Sequence, residues 1–164
     1  MGRPLTDNSA TIHRFYKAFA VLDAKTMDEC YAVDACFTDE VFTLNGRREI
    51  SGMWAMLCDA IKGSGRDVWA LEYGQVTSAG DKGSAHWEAH YRFSATGRLV
   101  ENHIGTQMRF DEVGLIVEQV DHFDFWRWSR QALGAPGFLL GWTSFLKNKV
   151  QAQARSNLDK YLAR

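Results

Sequence analysis

Residues 84–110 decide the fold: Ser84-Ala-His-Trp-Glu-Ala-His-Tyr-Arg-Phe-Ser-Ala95, then Thr96-Gly97, then Arg98-Leu-Val-Glu-Asn-His-Ile-Gly-Thr-Gln-Met-Arg-Phe110. Apolar and polar residues alternate on both sides of a Thr-Gly pair, which is the signature of two antiparallel strands joined by a tight turn. If Ala95 faces Arg98, then Tyr91 faces Asn102, Ala89 faces Ile104 and Trp87 faces Thr106. That face is mostly apolar and turns inward. The opposite face carries Arg92 opposite Glu101 and His90 opposite His103, so it turns outward.

Working outward, Val68 to Ser78 alternates in the same way, and Leu115 to Phe125 forms a last strand entered through Asp111-Glu112-Val113-Gly114. Pairing Phe110 with Leu115 sets Asp121 opposite Ile104 on the inner face, beside Val117, Gln119 and Phe123. A carboxyl in such company is the most informative feature of the chain. Burial without a cationic partner raises a carboxyl pKa, and a perturbed carboxyl in an apolar cleft marks a candidate site.

The region before the strands has helical periods. Ile12, Phe15, Tyr16, Phe19 and Leu22 predict a helix over about residues 9–23, with Asp7, Asn8 and Ser9 as caps. Thr26-x-x-Glu29 reads as a capping box opening a short helix. Ala35 to Leu44 is extended, and Asn45-Gly46 turns into a third helix through Ile50, Met53, Trp54, Leu57 and Ile61. The sum is an α+β domain: one curved antiparallel sheet wrapped around three N-terminal helices.

Three motifs carry a family resemblance: Ala32-Val-Asp-Ala-Cys-Phe-Thr-Asp39, Gly46-Arg-Arg-Glu-Ile50 and Gly114-Leu-Ile-Val-Glu-Gln-Val-Asp-His-Phe-Asp124. With the element order, they resemble the nuclear transport factor 2-like superfamily over about residues 9–125. That superfamily holds ketosteroid isomerases, SnoaL-like polyketide cyclases and limonene epoxide hydrolases, and the resemblance implies its cone-shaped barrel, the curved antiparallel sheet packed on the three helices. By position, Asp39 matches the isomerase base and Asp121 the catalytic Asp of the epoxide hydrolases. Thr106 stands where the isomerases keep a protonated Asp, Ala18 where they keep a donor Tyr. Trp87 and Ala89 replace the Arg and Asp of the hydrolase triad.

The resemblance implies a small-molecule enzyme using acid/base proton transfer without a cofactor, on an apolar, oxygenated substrate held in the cone. Asp121 is the expected catalytic group and Asp39 its helper. Asp39 is equally able to cap the turn before Val41. Phe15, Phe19, Phe37, Trp54, Trp87 and Tyr91 are candidate substrate-binding wall residues, and Asn102, Thr106 and Gln119 candidate polar contacts. The alternative is a non-catalytic module that binds a hydrophobic ligand and docks its C-terminal helix on a partner or membrane surface.

Composition bounds these readings. The chain has 164 residues, 46% hydrophobic and 13% aromatic, with a net charge of −1. One domain with a substantial core is expected, and a field that attracts nucleic acid is not. Three cysteines without a CxxC spacing fit a reducing cytoplasm, and Met1 to His13 lacks the apolar stretch of a signal peptide. His86, Glu88, His90 and His103 invite a metal-site reading, but the expectation is no metal and an outer sheet face packed in a homodimer. Residues 126–164 hold seven basic residues and one acidic, a surplus of +6 that leaves −7 for the rest. This segment is expected to be an amphipathic helical extension, packed on the body or a partner rather than on a membrane. Asp124 is its expected N-cap.

Overall fold

The computed structural model describes residues 7–164; the leader reading for Met1–Thr6 lies outside them. Three helices come first in order with two short strands: α1 (Ser9–Ala20), α2 (Ala24–Glu29), β1 (Tyr31–Thr38), β2 (Thr43–Asn45) and α3 (Arg47–Ser64). Four strands follow, β3 (Ala70–Ala79), β4 (Lys82–Arg92), β5 (Leu99–Phe110) and β6 (Ile116–His122). Three helices close the chain: α4 (Phe125–Leu133), α5 (Ala135–Leu140) and α6 (Ser144–Leu162).

The six strands form one sheet in the order β2-β1-β6-β5-β4-β3. Its concave face covers α1 and α3, and the core lies between them, with Ile12, Phe15, Tyr16, Phe19, Phe37, Ile50, Trp54, Ile104 and Ile116 all buried. Two expectations need correction. The sheet is not wholly antiparallel, because β1 runs parallel to β6, with Phe37 beside Gln119 and Thr38 beside Val120. It is also not a closed barrel, because β2 and β3 remain unjoined edges. Strand periodicity reveals which face is buried but not which distant strand fills the slot beside β6.

The registers differ by two residues from those expected. Tyr91 pairs with Val100, Ala89 with Asn102 and Trp87 with Ile104. Asp121 pairs with Thr106, not Ile104. The β4–β5 loop holds four residues rather than two: Phe93 N–H bonds Arg98 O at 2.8 Å, and both Thr96 and Gly97 N–H return to Phe93 O. Gly97 takes φ +72°, a left-handed turn position that glycine reaches without strain. Thr96 Oγ1 then donates to Ala132 O of α4 at 2.6 Å, so tertiary contact helps select the wider loop. Because side chains alternate with a period of two, a shift of two leaves every residue on its expected face.

Smaller differences have local causes. The N-cap of α2 is Asp23, which accepts from Thr26 N–H, rather than Thr26 itself. The extended run from Ala35 is longer at its start and broken at Asp39, whose Oδ1 accepts from both Val41 N–H (2.7 Å) and Phe42 N–H (2.6 Å). Asp124 caps α4 by accepting from Arg127 N–H at 3.0 Å.

The last helix packs on the body. Arg155 grips Glu49 through two nitrogens, Lys147 reaches Glu40 at 2.5 Å, and the Tyr161 hydroxyl donates to Asp59 at 2.5 Å. A Cβ on Gly52 of α3 would lie 2.4 Å from Leu162 Cδ2, so glycine permits the close crossing of α3 and α6.

Candidate active site

A cavity of about 680 Å³ opens inside the cone. Its deep wall is apolar: Phe19, Trp54, Trp87, Ala89, Ile104 and Phe123. The α3 face adds Met53, Leu57 and Ile61, residues spaced by three or four as a helix face requires. Its rim is polar and exposed, with Ser94 from the β4–β5 loop and Gln153, Asn157 and Lys160 from α6. The C-terminal segment therefore contributes to the cavity, through Trp128, Leu133 and the inner face of α6.

Asp121 and Asp39 both line this space. Asp121 is 3% exposed. Its Oδ1 accepts from Thr106 Oγ1 at 2.8 Å and from Gln119 Nε2 at 3.2 Å. Oδ2 has no bonding partner among the described residues and is not shut away from the cavity.

The donors behind Oδ1 form two chains. Thr106 Oγ1 accepts from the Tyr16 hydroxyl at 3.0 Å and the Trp87 indole at 2.9 Å. A hydroxyl has two lone pairs and one proton, so both lone pairs are filled and its proton must go to Asp121. The second chain runs from Trp54 Nε1 to the Tyr31 hydroxyl (2.9 Å), from Tyr31 to Gln119 Oε1 (2.5 Å), and from Gln119 Nε2 to Asp121. Tyr31 therefore fixes which end of the Gln119 amide faces the carboxyl. Every buried donor in these two chains is matched, as burial demands. Oδ1 is thus an acceptor in every protonation state, and any proton on Asp121 sits on Oδ2, facing the cavity.

Desolvation raises the Asp121 pKa to about 7, against the bonds from Thr106 and Gln119, and the charge of Asp39 raises it further. Asp39 is raised to about 6, again chiefly by burial, against the two backbone donors that hold its Oδ1. The turn-capping role and the cavity position of Asp39 therefore coexist. The Tyr91 hydroxyl accepts from Trp128 Nε1 at 2.8 Å. Burial lifts Tyr91 to about 12, and Asp39 is near enough to add to this. Tyr91 stays a neutral donor, and among the described residues no acceptor takes its proton.

The structure sorts the other candidates by layer. Phe19, Trp54, Trp87, Tyr91 and Asn102 line the cavity. Thr106 and Gln119 stand one layer behind, bonded to Asp121 rather than exposed to a ligand. Phe15 and Phe37, expected as wall residues, are core instead. Phe15 packs edge-on against Tyr16, Tyr31 and Trp54, and Phe37 edge-on against Trp54; both are fully buried and neither lines the cavity. Tyr31 was not singled out by sequence, because its role depends on β1 lying beside β6. On the outer face, His103 meets Glu88 at 3.0 Å and Glu101 at 3.0 Å rather than His90, a direct result of the changed register. His86, Glu88 and His103 cluster there, half-exposed.

Comparison with known proteins agrees with this geometry. The family model described as SnoaL-like domain matches residues 12–119. No curated protein matches the chain. Among solved structures, a hypothetical protein from Catenulispora acidiphila with a ketosteroid isomerase-like fold, in complex with trimethylamine, aligns with a TM-score of 0.63 at 17% identity, covering 81% of this chain and 96% of that one. A putative polyketide cyclase from Silicibacter gives 0.61 at 17% identity, covering 80% and 98%. An LEH-like epoxide hydrolase from M. tuberculosis gives 0.61 at 16%, covering 80% and 92%. At such identities these likenesses speak for the fold. The family match spans most of the conical body, from α1 into β6, and the chain belongs to the SnoaL-like domain family of the nuclear transport factor 2-like superfamily.

Proposed function

We propose that this protein is an enzyme that moves a proton on a small, largely apolar, oxygenated substrate, as in isomerisation, dehydration, cyclisation or epoxide opening. The observation that carries the reading is the state of Asp121: a carboxyl at the deep end of an apolar cavity, one oxygen saturated by Thr106 and Gln119, the other unbonded. A group with a pKa near the working pH both donates and accepts at useful rates, and about 7 meets that condition.

In this reading Oδ2 of Asp121 exchanges the proton with the substrate. Tyr91, held by Trp128, donates to the substrate oxygen, where charge develops. Asp39 helps by holding a second proton or a water at the cavity wall. The apolar wall excludes bulk water and keeps both carboxyls perturbed. All of the chemistry is supplied by side chains of the chain itself.

The test is Asp121→Asn, an isosteric change that preserves acceptance at Oδ1 and removes the proton from Oδ2. Purified wild type and variant are offered a panel of apolar epoxides, unsaturated ketones and β-keto esters, with circular dichroism and melting temperature as the check on folding. We expect turnover of at least one class by the wild type and a loss of about 10²-fold or more in the folded variant. Equal turnover by both overturns the assignment of Asp121. Binding of panel members without turnover by either supports a ligand-binding module instead.

A further inference from the structure

A second surface is separate from the cavity and shares no lining residue with it. Arg98, Arg127 and Arg130 converge on a groove of about 590 Å³, together with Leu99, Gln131 and Phe138. Among the described residues no carboxylate lines this groove and none of the three arginines forms an ion pair. This contrasts with Lys147 and Arg155 of α6, which the body neutralises through Glu40 and Glu49. Arg130 is held by ring faces, its guanidinium 4.6 Å from the Trp126 ring centre and 5.9 Å from that of Phe138. Its Nε is buried and has no hydrogen-bond partner. Arg98 Nε donates to Gln131 O at 2.7 Å, which holds it in place without neutralising it. A buried guanidinium nitrogen without a partner is costly, and three arginines with no acid beside them make a site for phosphate-type oxygens.

The wall of this groove continues into an apolar tip. Phe138 belongs to both. After it come Leu139, 71% exposed, Trp142, 71% exposed, and Phe145, 70% exposed. Leu139 sits on α5, Trp142 in the turn between α5 and α6, and Phe145 on the first turn of α6, with Lys149 beyond. Large exposed apolar groups gathered in one segment mark an interaction surface. Here they adjoin unpaired positive charge, the pairing that suits an interface between water, phosphate and acyl chains.

We propose that this end of the molecule docks on an anionic phospholipid membrane. Arg98, Arg127 and Arg130 receive the lipid phosphates, and Leu139, Trp142 and Phe145 enter the boundary between headgroups and acyl chains. Two observations favour lipid over a protein groove: the basic groove faces no acid of its own, and a Trp stands among the exposed apolar groups, as it does at membrane interfaces. The attachment is peripheral, since among the described residues no helix is long and apolar enough to cross a membrane. It is independent of the acid/base reading of Asp121.

The experiment is flotation of the full chain with phosphatidylcholine vesicles, with and without phosphatidylglycerol. The wild type is expected to float with the anionic vesicles, to stay behind with pure phosphatidylcholine, and to be released by added salt. Leu139→Ser/Trp142→Ser and Arg127→Gln/Arg130→Gln are each expected to weaken binding about tenfold or more. The first pair changes exposed residues only, so folding is retained; unchanged melting temperatures check both. Wild type that stays behind with anionic vesicles overturns the proposal, as does flotation unaffected by either pair. Titration with inorganic phosphate alone is the third arm: binding of phosphate without vesicle binding assigns the arginines to a soluble anion and overturns the membrane. Sedimentation is the fourth: a dimer that the serine variant converts to a monomer, without vesicle binding, assigns the tip to a second copy and overturns it equally.

Discussion

The Thr106 hydroxyl gives its one proton to Oδ1 of Asp121 at 2.8 Å, because Tyr16 and Trp87 already fill both of its lone pairs. This bond stabilises the charged carboxylate and opposes the desolvation that lifts its pKa. Thr106→Val removes it, so the Asp121 pKa moves upward from about 7. The same change leaves the Tyr16 O–H and Trp87 N–H buried without an acceptor, at about 1–3 kcal/mol each. Thr106→Ser keeps the hydroxyl and is expected to restore both properties. Carboxyl-selective NMR titration with a denaturation midpoint measures the two effects together.

Asp121 also ties stability to pH. Its folded pKa, about 7, lies above the ordinary carboxyl value of about 3.9. The native state therefore binds this proton more tightly than the unfolded chain. The stabilisation is complete below about pH 4 and is lost as pH rises to about 7, on the order of 4 kcal/mol over the window. Asp39, raised to about 6, acts in the same direction. Asp28 and Glu49, lowered by Arg47 and Arg155, act in the opposite one, so a wild-type curve alone mixes signs. The difference between wild type and Asp121→Asn isolates the one group. We expect the variant to gain on the wild type steadily as pH rises from 4 to 7 in urea melts; a constant difference contradicts the assignment.

Tyr31 sets the orientation of Gln119, and Tyr31→Phe releases it. Trp54 Nε1 then loses its acceptor and Gln119 Oε1 its donor. The expected cost is about 2–6 kcal/mol for two buried groups left unpaired. The freed amide can also turn its oxygen to Asp121, which favours the protonated acid and raises its pKa. A shift of the Trp54 indole resonance, accompanied by an upward step in the carboxyl titration, checks the link from β1 to β6.

Gly52 is the contact through which α6 reaches α3. Gly52→Val forces its side chain into Leu162 and Leu158, and overpacking of this kind costs about 1–3 kcal/mol. Arg155→Ala loosens the same helix from Glu49 without touching the crossing. Both variants are expected to speed amide exchange in α6 while leaving β4, β5 and β6 protected.

The inner face of the sheet was legible in the sequence because alternation survives an error of two in register. That is why Asp121, Asn102, Thr106 and Gln119 were placed inward even though each faces a different partner than expected. The parallel neighbour of β6 was not legible, and Tyr31 was missed with it. Phe15 on α1 and Phe37 on β1 read in the sequence as inward-facing aromatics like Phe19. Only packing separates them, since the first two are buried in the core and Phe19 alone reaches the cavity. The basic, aromatic tail was legible as an appendage, but its division was not: Lys147 and Arg155 of α6 pair with Glu40 and Glu49, whereas Arg127 and Arg130 of α4 form no ion pair among the described residues.

The commitment of Asp121 Oδ1 to Thr106 and Gln119 has a stereochemical consequence. A free carboxyl can approach a flat enolate or alkene through either oxygen and from either side. In the proposed reaction this one acts through Oδ2 alone, from a fixed point on β6, on a substrate held in the cavity against the wall that Trp54 and Trp87 build together. For a substrate that the cavity holds in one orientation, the proposed proton transfer is therefore expected from one face and to give one enantiomer in excess, which chiral chromatography of the product checks.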